Sequence, residues 1–161
     1  MAISVLTNAS VQLAAAWTGT APGLPGTQTI AGTLTTASDI SAFTQSVGVE
    51  TSSAMQDGTT FGTGGFVANY AGLKSGQLTL NLLNDFAASQ LDAIIRTTLG
   101  GLGATVYYDV KPTSSARGTS NPSYVGAVIL ADWKPITTQV GNLTVVSVTW
   151  PITGAFTTLT A

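Results

Sequence analysis

Activating a serine or threonine for acyl transfer takes a neighbouring base, and this chain is rich in hydroxyls but contains no His and no Cys. The base would have to be a Lys, an Asp or an N-terminal amine, yet neither Ser-x-x-Lys nor Gly-x-Ser-x-Gly spacing occurs. The seven carboxylates show no Asp-x-Asp spacing that would build an oxygen cage for a metal. Two glycine runs, Gly62-Thr63-Gly64-Gly65 and Gly100-Gly101-Leu102-Gly103, have the composition of phosphate cradles. Neither opens a helix after a strand, so both read as turns. Asp85 and Asp92 lie two turns apart on a predicted helix; acid–base work needs carboxylates converging on a substrate, and a cap and a solvated charge account for them better. The chain therefore reads as non-enzymatic, with no catalytic residue, no metal site and no cofactor.

Charge narrows the possibilities further. Only 7% of the 161 residues are charged, against about 25% in a typical soluble protein. The five bases, Lys74, Arg96, Lys111, Arg117 and Lys134, are scattered and the net charge is -2, which does not suit a dedicated nucleic-acid binder. A surface with so few solvating charges suits burial against further copies of itself. No stretch approaches the ~20 apolar residues that span a bilayer, and the first 13 residues have neither the basic start nor the apolar run of an export signal. Asn8-Ala9-Ser10 and Asn142-Leu143-Thr144 fit the N-glycosylation pattern and read as coincidences of a Thr/Ser-rich composition.

The elements that must position these groups are mostly strands. In residues 43–50, Phe43, Gln45, Val47 and Val49 alternate with Thr44, Ser46, Gly48 and Glu50, the pattern of a strand buried on one face. Leu78, Leu80 and Leu82 repeat it, and residues 105–110, 124–133, 143–152 and 3–13 complete the set of predicted strands. One segment breaks the period of two: Phe86, Leu91, Ile94, Ile95 and Leu99 predict a single helix over residues 86–98, capped by Asn84 or Asp85 and ended by Gly100. Residues 14–38, 51–65 and 111–122 read as loops, the first as a flexible excursion or a Thr-rich hairpin. Trp133 and Trp150, each beside or near a proline, read as sheet-margin positions. All of this fits one domain over residues 1–161, mainly β with one helix, long enough to bury roughly 70% of the surface its unfolded chain exposes.

In order, several stretches resemble the major tail (tail tube) proteins of long-tailed bacteriophages. Asp39-Ile40-Ser41-Ala42-Phe43-Thr44-Gln45-Ser46-Val47 is similar to that family's first long strand. Asp57-Gly58-Thr59-Thr60-Phe61-Gly62 is similar to its TTFGD loop, and Ala71-Gly72-Leu73-Lys74-Ser75-Gly76 to its GLKDG turn. The helix that follows, then Lys111-Pro112, Asn121-Pro122-Ser123-Tyr124-Val125-Gly126 and Trp150-Pro151-Ile152-Thr153-Gly154-Ala155, keep the family's order over residues 39–161. The chain departs from it at Thr63, where an acidic residue is usual, and in the greater length of residues 14–38.

The resemblance implies an antiparallel β-sandwich or barrel with a flanking helix, closing into hexameric rings that stack into a hollow tube in the virion tail. Its partners would be further copies of itself, the tape-measure, tail-terminator and distal-tail proteins, and DNA in non-specific passage. Asp57, Thr60, Phe61, Pro112, Arg117 and Asn121 are then candidates for contacts between subunits. Glu50, Asp57 and Asp109 are candidates for an acidic lumen that repels phosphates. Two other classes share the composition: a capsid decoration or head–tail joining protein, and a secreted carbohydrate-binding β-sandwich using Trp17, Trp133 or Trp150 as a platform.

Overall fold

The alternation of Leu78, Leu80 and Leu82 puts all three fully inside, on a strand much longer than the pattern predicts. In the computed structural model, which describes residues 8–23, 30–137, 139 and 141–160, the strands are β1 (Ser10–Ala14), β2 (Ala16–Thr20), β3 (Ala31–Thr35), β4 (Ser38–Asp39), β5 (Thr44–Asp57), β6 (Asn69–Leu83), β7 (Thr105–Lys111), β8 (Ser123–Ile129) and β9 (Val145–Leu159). Seven form one antiparallel sheet in the order β4-β1-β7-β8-β9-β6-β5, and β2 and β3 pair as a separate hairpin. Residues 14–38 thus include a Thr-rich hairpin, one of their two predicted forms. The strand predicted over residues 3–13 is β1 from Ser10 onward; its first part lies outside the described residues.

β9 holds the sheet together. Its residues Val145 to Pro151 pair with β6, whereas Ile152 to Leu159 pair with β8. Proline has no N–H to donate, so it is tolerated where the strand changes partner. Trp150, beside it, is fully buried and donates through Nε1 to Asp132 O (2.9 Å). The Trp150-Pro151 pair therefore sits at the centre of the sheet, not at the predicted margin. The sheet wraps around one core: Leu78, Leu80, Leu82, Val146, Val148 and Trp150 from one half meet Val11, Leu13, Val106, Tyr108 and Val128 from the other.

The helix is shorter than predicted. It starts at Leu91, as one α-turn (Leu91–Ala93) that continues as a π-turn (Ile94–Thr98). Asp85 caps no helix; its carboxylate accepts the Ala87 N–H (2.8 Å), closing a local turn that leads away from helical geometry. Phe86 is consequently left outside and exposed, while Leu91, Ile95 and Leu99 keep the predicted inward face. Gly100, Gly101 and Gly103 all take positive φ, as the turn after the helix requires.

The strand predicted over 124–133 ends at Ile129. Beyond it the chain runs along the open edge of the first half of β9, fixed by the Trp150–Asp132 bond at one end and by Thr137 Oγ1 donating to Val145 O (2.6 Å) at the other. Nor are residues 51–57 a loop: they extend β5 to Asp57, opposite Asn69 to Gly76 of β6. Gln45 falls at a bulge in that pairing and is exposed, which removes it from the predicted apolar face. Leu80→Ala should lower stability by about 2–5 kcal/mol through cavity formation. Leu73→Ala, on the exposed half of β6, should change it by less than about 0.5 kcal/mol; urea denaturation of both variants checks the contrast.

Candidate assembly surface

Beyond Thr51 and Ser75 the β5–β6 hairpin leaves the core, and nearly every residue in it is exposed. It is a two-stranded ribbon with no second layer among the described residues, held by its ladder and by small cross-strand bonds such as Ser52 Oγ to Ser75 Oγ (2.9 Å). Its tip is tied by Asp57. The Thr59 hydroxyl and amide both donate to that carboxylate (2.5 and 2.8 Å), and the Thr59 hydroxyl also accepts the Ala68 N–H (3.1 Å). Those two donors, the hydroxyl first, hold the Asp57 pKa below the ordinary carboxylate value. Phe61, Phe66 and Val67 project from this frame around a groove of about 570 Å³ that Thr59, Thr60 and Gly65 also line.

Strand edges form the second part of the surface. β5 ends the sheet, so its outer edge has no strand partner among the described residues over 14 positions. That edge contains no Lys, Arg or Pro, and its only charges are Glu50 and Asp57. Where β9 turns from β6 to β8, the outer part of β6 and the second part of β9 diverge and leave a groove of about 420 Å³ lined by Lys74, Gly76, Ile152, Gly154 and Phe156. A Cβ on Gly154 would overlap the backbone of Gly23, so the turn after β2 packs directly on β9 there.

The predicted site residues divide into two groups. Asp57, Thr60 and Phe61 come together at the exposed tip, and Glu50 lies exposed on β5, accepting from Gln77 Nε2 (2.7 Å). The residues of the 111–122 loop turn inward. Asp109 is 7% exposed; Arg117 pairs with it at 3.2 Å and Ser123 donates to its other oxygen. Asn121 is buried as the hub of its loop, accepting from Thr113 N (3.0 Å) and donating to Ser115 O and Ala116 O (2.9 and 3.1 Å). Pro112 is half-buried beside them. Arg117 and Asn121 thus satisfy this chain's own buried groups, and Asp109 offers no free carboxylate to solvent.

Asp92 is not a solvated surface charge. It is 4% exposed, with Arg96 Nε (2.8 Å) on one oxygen and Trp133 Nε1 (3.2 Å) on the other. Trp133 is thereby pinned against the core, and Trp150 is inside it. Trp17 lies apart on the hairpin, its ring 6.0 Å from Tyr107, so the three indoles form no common platform. Among the described residues no cluster of three or more His, Cys, Asp or Glu side chains could hold a metal, and no helix is long and apolar enough to cross a membrane.

The sequence reading missed Phe66, Val67 and the continuation of β5. Alternation fails there because both faces of the ribbon are wet, leaving only turn residues as a signal. Replacing Arg117 by Met strands the Asp109 charge in a buried site and should cost about 3 kcal/mol or more, read by chemical denaturation. Thr59→Val should raise the Asp57 pKa toward the ordinary value, measured by carboxyl NMR titration. Because the pKa is depressed in the folded chain, the tip's stabilisation is present above the unfolded pKa and is lost as pH falls through the folded one. The variant should show a weaker loss in acid.

Neither a scan against protein-family models nor a search of curated proteins finds a match for this chain.

Proposed function

We propose that this chain is a non-enzymatic structural subunit that assembles with copies of itself through its strand edges, and that the assembly is the hollow tail tube of a long-tailed bacteriophage. The supporting observation is the outer edge of β5, 14 residues of strand without a Lys, Arg or Pro to block pairing. Proteins that remain single normally shorten, charge or cover such edges. Joining each β5 edge to a strand of the next copy satisfies those backbone groups, and a rotation that closes gives a ring. The resemblance of residues 39–161 to tail tube proteins, with Asp57–Phe61 at an exposed tip, supports stacking of such rings into a tube in the virion tail, alongside the tape-measure, tail-terminator and distal-tail proteins.

In this reading the tail-tube form of β-sandwich or barrel is completed between subunits, and function is passage, not catalysis. Of the three acids expected in a lumen, Glu50 and Asp57 are exposed; there they would repel DNA phosphates so that the duplex slides without sticking. Asp109, already paired, would contribute no such field.

Negative-stain electron microscopy of the purified chain over a concentration series, with light scattering on the same samples, should show rings or tubes. Thr51→Lys with Ser53→Lys places two positive charges on the β5 strand outside the core and should suppress assembly while leaving the unfolding free energy within about 0.5 kcal/mol of the parent. A chain that stays monomeric at every concentration would sink the proposal.

A further inference from the structure

Asp57 is the only aspartate in this chain that is followed by glycine, and that pair is chemically labile. The amide nitrogen of the next residue can attack the aspartate Cγ: a C–N bond forms, a carboxyl oxygen leaves as water together with the amide proton, and a five-membered succinimide results. Water then opens the ring at either carbonyl, returning aspartate or giving isoaspartate, in which the main chain runs through the side-chain carbon. Glycine favours the attack because it has no side chain to shield the nitrogen and its backbone turns freely. The other aspartates precede Ile40, Phe86, Ala93, Val110 and Trp133, all of which carry a Cβ.

The folded tip occupies both reactants. The Gly58 N–H donates to Ala68 O (2.8 Å), and the Asp57 carboxylate is turned forward along the chain to accept the Thr59 amide and hydroxyl (2.8 and 2.5 Å). The same two donors keep that carboxyl ionised, and an ionised carboxylate is the poorer electrophile because it has no hydroxyl to lose as water. The labile pair is nevertheless built into the turn: a Cβ on Gly58 would run into the Tyr70 ring, so any other residue there would displace it. Beyond Thr51 and Ser75 the ribbon lies outside the core, and a two-stranded hairpin of this kind is marginal in water. The tip can therefore open while the rest of the chain stays folded.

We propose that Asp57-Gly58 is a latent isoaspartate site, kept shut by Thr59 and Ala68 while the tip is folded and released when the tip opens. The isoaspartate form carries an extra main-chain carbon at the turn, which takes Gly58 out of register with Ala68, so the change marks chains whose tip has stood open. It concerns the single chain and does not depend on how copies assemble.

The test ages the purified chain, folded and in urea, over a pH series, and measures isoaspartate at Asp57 by peptide chromatography with isoaspartyl methyltransferase labelling. The Asp39 peptide is the internal control, because its carboxylate also accepts a backbone amide two residues on, from Ser41 (2.9 Å), but Ile40 follows it. Unfolding should speed the change at Asp57 about tenfold or more and leave Asp39 nearly unchanged. Thr59→Val should isomerise several-fold faster than the folded parent, and Thr59→Ser at the parent's rate. As pH falls below neutral, the rise in rate should begin at higher pH for Thr59→Val than for the parent, whose carboxyl stays ionised longer; a tip that had only loosened would gain equally at every pH. A folded parent that reacts as fast as the unfolded chain would overturn the proposal. So would a Thr59→Val chain that is no faster than the parent, or one that is faster without the displaced pH profile.

Discussion

The change of partner along β9 is the constraint on which the rest of this structure depends. Among the described residues no other strand joins the β5–β6 pair to the remainder of the sheet, so the two halves share one core because β9 belongs to both. Pro151 marks the point of change and Trp150 fills the core beside it. The same event creates the open surface: once β9 has left for β8, the outer part of β6 pairs with β5 alone among the described residues. Burial on one side and exposure on the other therefore have a single cause.

Polar groups follow a matching division. Inside, the few charges are spent on fixing irregular chain: Asp92 holds Trp133 and Arg96, and Asp109 holds Arg117 and Ser123. Asp92 anchors residues 130–137 through Trp133, and Asp109 anchors residues 111–122 through Arg117. Outside, the ribbon and its tip are mostly Ser, Thr, Gly, Ala and exposed apolar or aromatic side chains, with Asp57 and Lys74 as their charges. A chain with 7% charged residues that commits four of them to internal pairs keeps very little to hold copies of itself apart.

How much of this was legible in the sequence depended on whether a segment faces the core. The Leu78-Leu80-Leu82 alternation and the Leu91-Ile95-Leu99 spacing were readable because one face of each is buried. The helix start was misplaced because Asp85 was free to make a turn with Ala87 instead of a cap. Residues 51–57 looked like a loop because a ribbon wet on both faces has no apolar period to display. Asp92 and Asn121 looked like surface residues; their burial depends on Trp133 and on the 113–116 backbone, partners distant in sequence or hidden in a turn. The exposed tip was half legible: Phe61 was singled out within a stretch that resembles a known loop, whereas Phe66 and Val67, just past the predicted loop, carried no signal.

The distal ribbon also sets a timing. Two strands with no layer behind them are marginal in water, so this part of the hairpin opens at far lower free energy than the Leu78-to-Leu82 stretch it grows from. In the proposed assembly the first contact with a neighbouring copy would have to bear the entropy of fixing this ribbon, and each further copy would meet one already ordered, so growth from an existing end would be favoured over spontaneous starts.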